Sequence, residues 1–183
     1  MQYFFILGRQ PELSIAELEA VFKRDKIVAK CLTSTKEFAI FDIEKKLDAQ
    51  KLINNLGGTI KIGEIIKTTN STNLAETIKS LLPQTDKKII FGINDYTGKN
   101  KPINLSKQIK KELEQSARFV YPQQGEKYLS SVATEKNKLL TATGAEFNFF
   151  PIVARDCHFE PAVAGEKSLV EKPILIGRTL AVQ

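Results

Sequence analysis

The chain has 183 residues, 42% of them hydrophobic and 26% charged, with a net charge of +6. That length holds one large domain or two small ones, and the composition is ordinary for a soluble globular protein, so disorder is not the default expectation. The longest apolar run, Tyr3–Leu7, is far too short to span a bilayer. With no basic start followed by a long apolar stretch, a secretory leader is not expected, and two cysteines, Cys31 and Cys157, cannot build a disulfide framework or a four-cysteine metal site. A reduced, cytoplasmic protein without membrane association is expected.

Tyr3 to Gly8 reads as a buried strand, an apolar run ending in glycine. Pro11 opens a helix with an apolar stripe of Leu18, Val21 and Phe22, and Ser14 with Glu17 fits a capping box. Strands are expected over residues 27–33 and 37–43, then a helix over 47–56 with Leu52, Ile53 and Leu56 inward and Gly57 at its end. Gly57-Gly58 follows a helix instead of leading into one, so it reads as a helix stop and not as a phosphate loop. Residues 59–66 alternate, Ile60, Ile62 and Ile65 against Lys61 and Glu64. The order β-α-β-β-α-β is the split, ferredoxin-like arrangement, which predicts a first domain over residues 1–67.

The polar stretch at residues 68–73 is the expected boundary, with a second α/β domain over 74–183. A helix over 74–82 ends at Pro83, a strand follows at 88–93, and a polar loop runs from Asn94 to Lys101. Beyond Pro102 a long helix aligns Leu105, Ile109 and Leu113 on one face. Lys107, Lys111 and Glu114 project from the opposite face, with Lys110 on the flank. Residues 118–121 read as a short strand. Leu129, Val132, Ala133 and Leu140 share the face of another helix, which Gly144 can cap. Strands are expected at 147–153 and 174–182, separated by an irregular loop at 154–173.

The charge is concentrated. Residues 99–138 hold nine basic and four acidic side chains, a local excess of +5, whereas residues 1–70 hold eleven and nine. Such a segment suits a polyanion, because phosphate contacts supply most of the sequence-independent affinity. The candidate RNA-binding residues are Lys99, Lys101, Lys107, Lys110, Lys111, Arg118 and Lys127, with Tyr121 and Tyr128 as stacking partners for unpaired bases. Catalytic signals are lacking. His158 is the only histidine, its neighbour Cys157 is adjacent in sequence rather than placed as a nucleophile across a fold, and no glycine-rich cofactor loop is present. No catalytic residue, metal site or cofactor is expected in this chain.

Three segments carry a resemblance. Leu7-Gly-Arg-Gln-Pro-Glu-Leu-Ser-Ile-Ala-Glu-Leu18 resembles the opening of the THUMP-containing tRNA guanosine-N2 methyltransferases in their bacterial and archaeal branch. Leu129-Ser-Ser-Val-Ala-Thr-Glu-Lys-Asn-Lys-Leu-Leu140, leading to Gly144-Ala-Glu-Phe147, is similar to the same family, as is Ile176-Gly-Arg-Thr-Leu-Ala-Val-Gln183. The resemblance implies a ferredoxin-like domain followed by a THUMP domain, together gripping the tRNA acceptor end. It implies a methyltransferase domain in cis in a longer protein, with S-adenosylmethionine as that domain's cofactor. This chain has neither the cofactor loop nor the Asp/Asn-Pro-Pro-aromatic motif of such enzymes, so by itself it is expected neither to bind that cofactor nor to methylate RNA. The stretch 154–173 departs from the family pattern. Other readings are a THUMP-type adaptor or a module of another RNA-modifying enzyme, such as a thiolation enzyme, and a ferredoxin-like small-ligand sensor or dimerisation domain.

Overall fold

The structure, a computed structural model, describes residues 1–70, 73–98, 102–113, 116–152 and 173–183. In the first strand, β1 (Gln2–Leu7), successive side chains point to opposite faces. Tyr3, Phe5 and Leu7 meet the helix α1 (Pro11–Arg24), while Phe4 and Ile6 enter a separate cluster on the other face. Strands β2 (Ala29–Ser34) and β3 (Phe38–Ile43), the short helix α2 (Ala49–Ile53) and strand β4 (Thr59–Thr69) complete the expected order.

The expected capping box at α1 does not form. Pro11 occupies the first helical turn, so Ser14 already lies inside the helix and its hydroxyl donates back to the Gln10 carbonyl at 3.0 Å. Glu17 instead reaches across to the turn before β4, where its two carboxylate oxygens accept the Gly57 and Gly58 amides at 2.7 and 2.8 Å. Helix α2 has already stopped at Asn54. A side chain at Gly58 would place its Cβ 2.6 Å from Ser14 Oγ, so this glycine serves the close approach of α1.

In the second half, α3 (Leu74–Leu81), β5 (Ile89–Asp95), α4 (Pro102–Glu112), β6 (Ala117–Val120), α5 (Ser131–Lys136), β7 (Gly144–Pro151) and β8 (Ile174–Val182) follow. Helix α5 is shorter than expected. Its end is closed by Lys138 at φ +56°, with Lys138 N–H donating to the Glu135 carbonyl and Leu139 N–H to that of Thr134. This left-handed closure turns Leu139 inward and leaves Leu140 exposed; Val132, in the first turn, is on the outer face of the helix, and Gly144 begins β7 and does not cap the helix. Lys26 closes α1 in the same way at φ +52°. Because a side chain in this conformation costs roughly 1 kcal/mol, Lys138→Gly is expected to raise stability by about that amount in urea unfolding. A loss of stability would contradict this account of the helix end.

The eight strands form one sheet in the order β2-β3-β1-β4-β8-β7-β5-β6, antiparallel except where β5 pairs with β6 and β7. The chain is thus mixed α+β, with five helices and eight strands among the described residues. The boundary expected at 67–73 does not coincide with a break in the sheet. Strand β4 runs through Thr69 and pairs along its length with β8, which covers backbone groups that a free edge would leave unpaired. Helices α1 to α4 cover one face, over two clusters centred on Phe5/Phe41 and Phe91/Phe147. On the other face, Phe4, Ile6, Phe38 and Ile40 from the first half pack with Tyr96 and Phe150 from the second. Helix α5 lies beside them on its own cluster of Leu129, Ala133, Leu139 and Val120.

Candidate nucleic-acid interface

Helix α4 has the predicted two faces. Leu105 and Ile109 are buried against the sheet and α3, while Lys107, Lys110 and Lys111 are exposed. Glu114, Lys99 and Lys101 lie outside the described residues, as do Cys157, His158 and most of the 154–173 segment. Tyr121, 45% exposed, leans edge-on against Phe119 with ring centroids 4.6 Å apart, on the side of the sheet that α4 covers.

Arg118, one residue before Phe119 on β6, points to the opposite side. Its guanidinium is exposed and donates to Asn137 Oδ1 at the end of α5, 2.9 Å away. Lys127 and Tyr128 also belong to this side, but they reach toward the first half of the chain. Lys127 Nζ donates to Glu37 Oε1 at 3.0 Å, and the Tyr128 hydroxyl lies 3.1 Å from both Glu37 oxygens. The predicted residues therefore form two groups on the two sides of the sheet.

Tyr128 tops an aromatic pillar. It stacks on Tyr96 at 4.1 Å, Tyr96 stacks on Phe150 at 5.2 Å, and Phe150 meets Phe4 and Phe38 in the core. Burial pushes the Tyr96 phenol well above its ordinary range, and the nearby Glu146 carboxylate adds to the shift. Lys127 is held above the ordinary lysine range by its hydrogen bonds to Tyr128 and Glu37.

Beneath this group lies a polar network that the sequence did not reveal. Lys61, which alternates with isoleucines in the sequence, is 1% exposed. Its ammonium crosses β8 to pair with Glu146 of β7, and donates to the Leu129 carbonyl at 2.7 Å and Thr134 Oγ1 at 3.0 Å. Asn94 donates to Glu146 and to Asn148, and its own carbonyl accepts the Leu129 amide at 2.8 Å. Thr134 donates to the second Glu146 oxygen, and Asn148 to Thr179. Both backbone groups of Leu129, the residue after Tyr128, are thereby held by buried side chains. The available signal was the alternation of Glu146 and Asn148 with Ala145, Phe147 and Phe149, which marks a polar strand face but not its burial.

A cleft of about 550 Å³ opens at Gly8, Arg9, Gln10, Ser14, Glu17 and the Gly57-Gly58 turn, where the carboxylate already occupies the glycine amides. Among the described residues no cluster of histidine, cysteine and acidic side chains can hold a metal ion, and no helix is long and apolar enough to cross a membrane. No protein-family model matches the chain, and no curated protein matches it.

Proposed function

We propose that this chain is the tRNA-binding part of a cytoplasmic tRNA guanosine-N2 methyltransferase and grips the acceptor end, the methyl-transfer domain and its S-adenosylmethionine belonging to the full-length protein. The observation that carries this reading is the outer face of α4, where Lys107, Lys110 and Lys111 stand exposed beside a buried apolar stripe. The antiparallel order β2-β3-β1-β4 supports a ferredoxin-like first unit, and the α/β elements after it are compatible with a THUMP-like second. Lys99 and Lys101 precede α4 in the sequence, and Tyr121 supplies an exposed ring on the same side of the sheet, whereas Arg118 lies on the other.

The test is tRNA binding by the parent chain and by Lys107→Glu/Lys111→Glu at matched salt. If four or five side chains touch phosphates, log Kd against log salt should have a slope of about 3 to 4 in magnitude, from the single-strand coefficient. The double reversal should weaken binding at least about tenfold and flatten that slope. Its unfolding midpoint should stay close to the parent's, because exposed charges contribute little to stability. Equal affinity of the two proteins would remove α4 from the interface. Absence of salt-dependent RNA binding would favour a small-ligand sensor.

A further inference from the structure

Tyr128 is fixed from three directions. Its inner ring face stacks on Tyr96, and its hydroxyl is bracketed by both Glu37 oxygens. The next residue along the chain, Leu129, has its amide held by Asn94 and its carbonyl by Lys61, both buried. The Lys127 ammonium lies over the Tyr128 ring, 4.9 Å from its centroid, and the ring is only partly buried. That cation sits on a side chain that is 66% exposed, in an exposed ion pair with Glu37.

We infer that Tyr128 is a prefixed stacking platform for an unpaired nucleobase of the bound RNA, and that Lys127 moves from Glu37 to the adjoining phosphate as the base arrives. This rests on the tRNA-binding reading above. The chemistry fits. Stacking on an aromatic face tolerates any base, and a ring already locked in place loses no conformational freedom on binding. An exposed ion pair is weak enough to exchange one anion for another. Glu37 then has two opposed effects: it orients the ring, and it competes with phosphate for Lys127. Glutamine at this position keeps an acceptor for the Tyr128 hydroxyl while releasing the lysine.

The test uses the full chain with a tRNA transcript and with the same transcript lacking its unpaired 3′ nucleotides. Tyr128→Leu should bind the intact transcript about tenfold more weakly than the parent, and Tyr128→Phe, which keeps the stacking face but loses the bond to Glu37, should fall between the two. The leucine defect should vanish on the shortened transcript. A fluorescent adenine analogue at the 3′ terminus should be quenched by the parent and by Tyr128→Phe, but not by Tyr128→Leu. Parent-like binding by Tyr128→Leu, or an equal defect on both transcripts, would overturn the platform while leaving tRNA binding intact. Failure of the parent to bind either transcript would overturn the tRNA reading and the platform with it. Should Tyr128→Leu not fold, Glu37→Gln decides. It is expected to bind the intact transcript about two- to fivefold more tightly, and unchanged or weaker binding would overturn the exchange.

Discussion

Glu146→Leu is expected to cost about 3–5 kcal/mol in urea unfolding, a large part of the stability of a typical domain. Glu146 and Lys61 are both buried, so losing the carboxylate leaves an ammonium among carbonyl and hydroxyl oxygens with no counter-charge. Asn94 loses one of its two acceptors and Thr134 its donation to the carboxylate. Lys61→Met combined with Glu146→Gln removes both charges and keeps an acceptor for Asn94. This double variant should be more stable than Glu146→Leu by at least about 1 kcal/mol, since a buried pair replaced by neutral groups is often tolerated. A cost below about 1 kcal/mol for Glu146→Leu would show that the pair is not sealed from water as its burial indicates.

Gly63→Ala is expected to cost about 3 kcal/mol for a single added methyl group, at the upper end for overpacking. Its Cβ would lie 2.2 Å from the Arg178 carbonyl oxygen and 2.3 Å from Cζ of Phe4, a fully buried ring. Gly177, on the neighbouring strand, would put its Cβ 2.5 Å from the same ring and 3.1 Å from Phe150, its three nearest atoms all belonging to side chains. Phe4 thus lies over a hollow made by two glycines where β4 meets β8. The contrast is testable. Phe4→Leu should recover part of the loss in Gly177→Ala, where the nearest obstructing atoms are side-chain. It should recover little in Gly63→Ala, where the carbonyl of the paired strand cannot retreat without breaking the ladder. Equal rescue at both positions would refute this packing.

Most elements were legible because each is written in local periodicity. The apolar stripe of α4 and its lysine face emerged as read, and so did the order of helices and strands in the first half. What depended on remote partners did not. Glu17 has the spacing of a capping residue, but its partners are amides about forty positions away. Lys61 alternates with isoleucines as a solvated residue would, and only the arrival of β7 and α5 above it makes that face interior. Leu139 replaced Leu140 in the core because one left-handed residue, Lys138, shifted the helical phase. The candidate site was read as one basic segment of sequence, yet its residues sit on both sides of a sheet, a separation that strand alternation at Arg118 and Phe119 imposes.

The pairing of β4 with β8 also sets an order in time. Lys61 lies opposite Val182, so the register that joins the two halves links residues made more than a hundred positions apart. Closing so long a loop is slow compared with forming the hairpins and helices on either side. During synthesis the first four strands can assemble while β8 is still unmade, leaving the backbone of β4 open to any passing extended chain. Lys61 and Lys67 on that strand, with Glu64 between them, place charge along the waiting edge, as strands that must avoid aggregation commonly do. One of these charges is then taken into the interior when the sheet closes. The residue that guards the nascent strand becomes the ion that fastens the finished one.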